Sequence, residues 1–339
     1  MKKYLGKETL KSGETMEIYN VVAPAGNYGL DLVDFIHGRG PFPADIPWHR
    51  YCQRAWQGAF ANEVLVSWQV GELDGKVVGL VGYSTPLATL DVCTWGHVVT
   101  QVEQRGKNIA TLLTRHSIED FKTRGGQAMY LGTGRTGGAH RVYEKNGFRD
   151  YQVGTTGVIM QLEIAESFTE RYFAPTEPLH IGELHIADMP RLEALINQPH
   201  WGVKSYSEKA IGPHGYEGQF LELWERLENG TSTCRTLRGP QEQLFGAAWT
   251  SPSSLPTVAE DVRIFDFIIH PHAQTESATL LAEQLKTESG KRLVAYTAGP
   301  DTIRRTALLA AGFTLAASPA DPIDLDEQRV ALDAWHLHR

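Results

Sequence analysis

The feature that most constrains this chain is a four-residue word that occurs twice. Ala110-Thr111-Leu112-Leu113 recurs as Ala278-Thr279-Leu280-Leu281, and in that register Val98-Val99-Thr100 falls without a gap on Asp266-Phe267-Ile268. Further along, Gly147-Phe148 answers to Gly312-Phe313. Both copies sit in the same order of strand, helix, strand and helix, so the chain reads as a duplication. Each copy must then bury its own core, and 339 residues at 42% hydrophobic supply enough for two domains of ordinary size. The expected division is an N-terminal domain over residues 1–163, a linker over 164–178 that contains Pro175 and Pro178, and a C-terminal domain over 179–318. An acidic then mixed tail follows over 319–339, and its sequence carries no readable role.

In the first copy, residues 14–22 alternate polar and apolar like an opening strand, and Ala23-Pro24-Ala25-Gly26 ends it. A helical region rich in aromatics runs over about 30–61, broken by Gly38-Arg39-Gly40-Pro41-Phe42-Pro43. Strands are predicted over 64–73, 77–83 and 92–99, the first two joined by Asp74-Gly75, a tight-turn pair. The polar loop Gln104-Arg105-Gly106-Lys107-Asn108 leads into a helix over 109–122, spaced by Ile109, Leu112, Leu113, Ile118 and Phe121. A strand over 128–131, a short helix over 139–146 stopped by Gly147, and a strand over 157–162 complete the copy. The second copy offers two strands around Gly239-Pro240, a strand over 262–269, a helix over 277–287, a strand over 293–297 and a helix over 302–311. The expected class is α/β (α+β), two tandem domains each built on a mixed, mostly antiparallel sheet flanked by helices.

Charge narrows the function classes. A formal charge of -8 with a pI near 5.9, and no Lys/Arg run longer than two residues, leaves no basic face for a phosphate backbone, so no nucleic-acid partner is expected. The N-terminus lacks the apolar core of a signal peptide and no stretch approaches the ~20 apolar residues of a membrane span, so the expectation is a soluble, cytoplasmic protein without a membrane partner. Cys52, Cys93 and Cys234 are odd in number and form no CxxC pair, which points to buried free thiols. His270-Pro271-His272 lacks further ligands at metal-site spacing, so it reads as a loop and no metal is expected.

The chemistry concentrates between the third predicted strand and the helix after it. Arg105-Gly106-Lys107-Asn108-Ile109-Ala110 stands where unpaired backbone N–H groups and the positive end of a helix dipole attract anions, and a pyrophosphate would fit there. Alone, the same residues also suit an ordinary solvated turn. About thirty residues later, after one strand, comes Ala139-His140-Arg141-Val142-Tyr143-Glu144-Lys145-Asn146-Gly147-Phe148.

With that pair of motifs the chain resembles the GCN5-related N-acetyltransferase (GNAT) superfamily. There, a strand leads into an Arg/Gln-x-x-Gly-x-Gly/Ala loop that binds the coenzyme A pyrophosphate, and an Ala-x-x-x-Tyr-Glu-Lys-x-Gly-Phe segment lies near the thiol. The resemblance covers residues 14–162 well and 179–317 in outline. It implies two tandem GNAT-like domains, acetyl-CoA as co-substrate, and a small-molecule amine as acceptor. It places the cofactor on Arg105, Gly106, Lys107, Asn108, Ile109, Ala110 and Thr111, with the backbone of Val98, Val99 and Thr100 along the pantetheine arm. It makes Tyr143 the acid for the leaving thiolate. Two positions depart from the pattern. Asn108 replaces the usual glycine, although asparagine tolerates unusual φ/ψ better than most residues. Gly137-Gly138 stands where many relatives carry asparagine.

For the base, His97 has a suitable pKa range, although a lone histidine beside Val98 also suits a structural role. Glu72 and Asp91, each beside a predicted turn, and a water chain are the other possibilities. The aromatic stretch Trp48-His49-Arg50-Tyr51 with Trp56 is where acceptor specificity is to be sought. In the second copy Arg105 becomes Ala273, Gly106 becomes Gln274, Asn108 becomes Glu276 and Tyr143 becomes Leu308. Glu276 would repel a pyrophosphate, so that copy reads as degenerate. The alternative to an enzyme is a non-catalytic acyl-CoA-binding sensor or partner-binding module.

Overall fold

The computed structural model describes residues 1–37, 46–153, 157–198, 205–206, 217–252, 262–288, 292–299, 301–316, 320–325 and 328–337. Two units emerge: the first holds Met1–Tyr151, Val158–Phe168 and Ile186–Pro190, the second Gln152–Gly157, Thr169–His185 and Arg191–Arg339. Both sheets are mixed, mostly antiparallel and flanked by helices, as expected.

The first sheet draws on β1 (Lys2–Thr9), β2 (Thr15–Val22), α1 (Gly26–His37), α2 (Pro47–Trp56), β3 (Val64–Leu73), β4 (Lys76–Pro86), β5 (Val92–Thr100), α3 (Ile109–Thr123), β6 (Ala128–Gly134), α4 (Gly138–Lys145), β7 (Arg149–Val153) and β8 (Gly157–Glu163). Its strand order is β1-β2-β3-β4-β5-β6-β8-β7. Strands β1 to β5 form an antiparallel meander, and β6 pairs parallel with β5. The β3–β4 hairpin shows why the sequence was readable there. Asp74 and Gly75 adopt φ of 49° and 72° between the paired residues Leu73 and Lys76, a two-residue turn whose twist matches that of the strands.

Each sheet face has its own cover. Ile109, Leu112, Leu113 and Phe121 of α3 are buried in one core with Cys93, Trp95 and Met129. Asp120 of α3 accepts hydrogen bonds from Ser67 (2.9 Å), Tyr83 (2.6 Å) and Arg124 Nε (3.1 Å), which pins the helix to β3 and β4. Strand alternation sends the residue after Ser67 to the other face. There Trp68 meets Trp56 of α2 edge-on, ring centroids 4.7 Å apart, and Leu32, Val33 and Ile36 of α1 are buried. The predicted break at 38–43 lies outside the described residues.

The remaining elements are α5 (Phe168–Tyr172), β9 (His180–Glu183), α6 (Met189–Ile196), α7 (Glu217–Glu228), β10 (Thr233–Arg238), β11 (Leu244–Pro252), β12 (Val262–Ile269), α8 (Ser277–Lys286), β13 (Arg292–Ala298), α9 (Thr302–Ala310), β14 (Thr314–Leu315), β15 (Ala320–Leu325) and β16 (Gln328–Leu337). The second sheet runs β14-β16-β13-β12-β11-β10-β9, with β15 on β16, and is antiparallel except for β12 on β13. The succession β12, α8, β13, α9 repeats β5, α3, β6, α4.

Two stretches differ from expectation. Residues 164–178 hold the helix α5, and the tail supplies β16, which pairs with β13 from Leu293 to Ala298. Its period was hidden because Leu332, Ala334 and Trp335 are all buried, so consecutive residues replace a clean alternation. The short or Lys-rich strands β1, β7 and β9 carried no apolar run to announce them. Among the described residues no helix is long and apolar enough to cross a membrane. All three cysteines are free and buried.

Candidate active site

The first unit opens between two parallel strands. β5 pairs with β6 only at Val92–Ala128, Cys93–Met129 and Thr94–Tyr130, although β5 continues to Thr100 and β6 to Gly134. The cause lies in β5. Gly82 pairs with Gly96 and Leu80 with Val99, so His97 and Val98 together face Val81 alone. His97 takes the extra residue in the left-handed region, φ 58°, a bulge that bends and twists the strand. Val98, Val99 and Thr100 therefore lie on the part of β5 that has left β6.

Just beyond, residues 102–104 form a single 3-10 turn before the loop. Gly106 has φ 82°, and a Cβ there would meet nothing within 4 Å. Asn108, at φ 74° and ψ 13°, is the N-cap of α3 without a side-chain cap bond, and the first turn holds no acidic residue. The departure from glycine is thus met by the residue that best tolerates this conformation. The N–H groups of Ile109, Ala110 and Thr111 start the helix without a capping side chain from Asn108, at the end where a helix dipole attracts negative charge. Of the two cations, Lys107 is paired with Glu14 at 2.5 Å. Arg105 makes one long bond, Nε to the Thr100 carbonyl at 3.4 Å, and has no carboxylate partner among the described residues.

Tyr143 comes to the same core from α4. Its ring meets Trp95 edge-on at 5.2 Å and Phe148 at 6.2 Å. Burial pushes its pKa up to about 12. Among the described residues its hydroxyl has no hydrogen-bond partner. His97 projects instead toward α2, its ring 4.4 Å from that of Trp48 and 5.5 Å from that of Trp68. Burial among these rings pushes its pKa down to about 3, so at neutral pH it is the free base. The other two acids are engaged. Glu72 accepts from Lys2 at 2.6 Å and from Tyr28 at 2.7 Å, and Asp91 accepts from Thr89 Oγ1 and from the Val92 amide at 3.0 Å.

The second unit keeps the opening and fills it. β12 pairs with β13 at only three positions, Val262–Arg292 to Ile264–Val294. Beyond them Arg304 of α9, 5% exposed, pairs with Asp266, which is fully buried, and donates to the Phe267 carbonyl. Asp266 also accepts from Ser205 Oγ and the Tyr206 amide, each at 2.7 Å, and Tyr206 Oη accepts from the Ala298 amide at 2.7 Å. Burial, the largest single influence, opposes the guanidinium charge, but Asp266, Tyr206 and Asp301 together outweigh it and hold the Arg304 pKa above its ordinary value. Glu276 stands at the N-cap of α8 and Leu308 is buried, as the repeat required. Arg304 was missed in sequence because nothing marks an arginine as buried before its carboxylate is known. The His270-Pro271-His272 segment, expected as a loop, instead opens a 3-10 helix over Pro271–Glu276: His270 is its N-cap, and its Nδ1 accepts from the His272 amide at 3.2 Å. Among the described residues no cluster of three or more His, Cys, Asp or Glu side chains is placed to hold a metal.

Residues 32–148 match the family model described as Acetyltransferase (GNAT) family. Three solved structures illustrate the likeness in shape. The GNAT domain of S. lividans PAT is 14% identical with a TM-score of 0.38, covering 47% of this chain and 96% of its own. A variant of SpeG spermidine N-acetyltransferase from Vibrio cholerae is 13% identical with a TM-score of 0.35, covering 47% and 92%. IAA acetyltransferase from Bacillus cereus is 17% identical with a TM-score of 0.33, covering 43% and 99%. Likenesses this distant carry no argument about substrate. No curated protein matches the chain.

Proposed function

We infer the activity from membership: the N-terminal part of this chain, residues 32–148, belongs to the acetyltransferase (GNAT) family. The reaction proposed is transfer of an acetyl group from acetyl-CoA to a primary amine of a small molecule. The observation that carries it is the parted pair β5 and β6 beside an uncapped helix N-terminus, within one unit. The open edge of β5 at Val98, Val99 and Thr100 offers strand-like hydrogen bonds to a pantetheine amide. Arg105, Gly106, Lys107, Asn108, Ile109, Ala110 and Thr111 would receive the pyrophosphate, Arg105 with its charge and the rest chiefly with backbone N–H groups. We assign these roles to residues 1–163, with 164–178 as connection and the C-terminal half as a degenerate copy.

In the reaction the neutral amine forms a bond to the thioester carbonyl carbon, and the carbonyl electrons move to oxygen. A backbone N–H near Val99 or Thr100 stabilises that oxyanion. The C–S bond then breaks with its electron pair on sulfur. Tyr143 donates its O–H toward that sulfur. His97, which stays unprotonated, accepts a hydrogen bond from the attacking nitrogen, directly or through water, and the nitrogen's proton leaves through water to solvent. With a His97 pKa near 3, the free base persists through the working range, and protonation costs activity only as pH falls toward about 3. The pH profile of kcat between pH 5 and 8 should therefore be unchanged in shape in His97→Gln, any acid limb belonging to the acceptor amine. A limb that disappears in the variant would assign the titration to His97.

Calorimetry should find one acetyl-CoA per chain, because Arg105 to Thr111 keeps the cationic, glycine-containing turn that Ala273 to Thr279 has lost, and Arg304 and Asp266 pair beyond the parted β12 and β13. Gly106→Glu should abolish binding, since it adds a like charge beside the phosphates and forces a side chain onto a φ of 82°. Two equivalent sites, or unchanged affinity in the variant, would contradict the assignment. Release of coenzyme A with a panel of amines tests turnover, and background release with every amine would leave a binding module.

A further inference from the structure

On the sheet face away from α3, two glycines stand side by side, Gly82 of β4 and Gly96 of β5, paired in register. They differ in what covers them. A Cβ on Gly82 would lie 1.9 Å from Trp68 Cδ1, so the indole already lies across that strand. A Cβ on Gly96 would meet nothing within 4 Å. Among the described residues the space beside Gly96 is therefore open, where β5 has just parted from β6. Beside it His97 is held out by its bulge, within 4.4 Å of Trp48 and 5.5 Å of Trp68 by ring centroids. Two residues earlier on the same face, Thr94 is buried, and its Oγ1 has no partner among the described residues.

The rings that meet beside it are Trp48, Trp68 and His97, the floor is bare backbone, and the polar groups are the Thr94 hydroxyl and the His97 imidazole, with the His37 ring behind Trp48 at 5.9 Å. Such a recess rewards a flat ring. Stacked or edge-on aromatic contacts contribute beyond area burial, whereas an alkyl chain gains only area. A polycation would need counter-charges, and two carboxylates of the same sheet, Glu72 and Asp91, are spent on Lys2, Tyr28, Thr89 and the Val92 amide. We propose that the hollow over Gly96 receives the ring of an arylalkylamine, stacked against Trp48 and His97, so that its amino group reaches the open edge of β5. The inference rests on the transferase reading and narrows it to one class of acceptor.

Calorimetric binding of 2-phenylethylamine, n-butylamine and spermidine, with and without saturating coenzyme A, tests it alongside acetylation rates. The expected result is 2-phenylethylamine favoured by roughly tenfold or more over both others. Gly96→Val should erase the advantage without disturbing the fold, since its Cβ enters open space. Trp48→Ala should erase it too, and Trp48→Phe should retain most of it, with circular dichroism confirming that each variant folds. Equal affinity for butylamine, preference for spermidine, or an advantage that survives both Gly96→Val and Trp48→Ala overturns the proposal. Should alkylamines be acetylated with no aryl preference, the recess falls and the transferase reading stands. Should 2-phenylethylamine bind with the expected advantage while no amine is acetylated, the recess stands and the transferase reading falls.

Discussion

Replacing Tyr143 with phenylalanine should lower kcat by about 10²–10³-fold while leaving the fold and the affinity for acetyl-CoA nearly intact. The ring stays, so its contacts with Trp95 and Phe148 persist. What goes is a hydroxyl with no other hydrogen-bond partner among the described residues. With burial raising the phenol to about 12, outright transfer of its proton to a thiolate of ordinary pKa, about 8.5, runs uphill. Its contribution is instead a charge-assisted hydrogen bond to sulfur as the C–S bond breaks, an interaction made mainly in the transition state. Loss of kcat with little change in KM is its signature. The phenol remains protonated to about pH 12, so Tyr143 should produce no alkaline limb between pH 7 and 10. A variant that keeps nearly full kcat across that range would make the tyrosine a packing residue and leave the thiolate to water.

Removing Arg304 should be the most damaging single change in the second unit. Arg304→Met strands the fully buried Asp266 carboxylate, and breaking a buried pair in this way typically costs about 3–5 kcal/mol. The Phe267 carbonyl loses a donor as well. Adding Asp266→Asn to that variant should recover part of the loss, because the uncompensated charge disappears while an oxygen remains for Ser205 and the Tyr206 amide. Hydrogen exchange of peptides from β12 and β13 would read the effect locally, which matters in a chain of two units where one unfolding midpoint has no single meaning. Exchange as slow in Arg304→Met as in the parent protein would show that the pair adds little.

Much of the first unit was legible because its signals are local. The Asp74-Gly75 turn, the 3.6-residue spacing of Ile109, Leu112, Leu113 and Phe121, and the stop at Gly147 each depend on residues within a few positions of one another. The bulge at His97 was not legible, since a residue enters the left-handed region there only because Val81 across the ladder faces two residues. His97 was named as a candidate for its titration range. Its surroundings, Trp48 and Trp68, come from a helix and a strand far away in sequence. Gly82 and Gly96 do carry a local signal, because a glycine inside a strand often marks a close approach.

The sequence by itself determined the repeated word, the order of strand, helix, strand and helix around both copies of it, and the cationic, glycine-containing turn at Arg105 to Ala110 with its loss at Ala273 to Glu276, because these are patterns of residue type along one chain. Only the tertiary structure decided how the two openings differ. That β5 parts from β6 beside Gly96, while β12 parts from β13 where Arg304 meets Asp266, depends on residues that meet across 30 residues of sequence or more. The same holds for the tail, whose β16 becomes a strand of the second sheet only because β13 presents an edge for it to pair with. Burial and pairing are properties of neighbours in space, and no local pattern of residues encodes them.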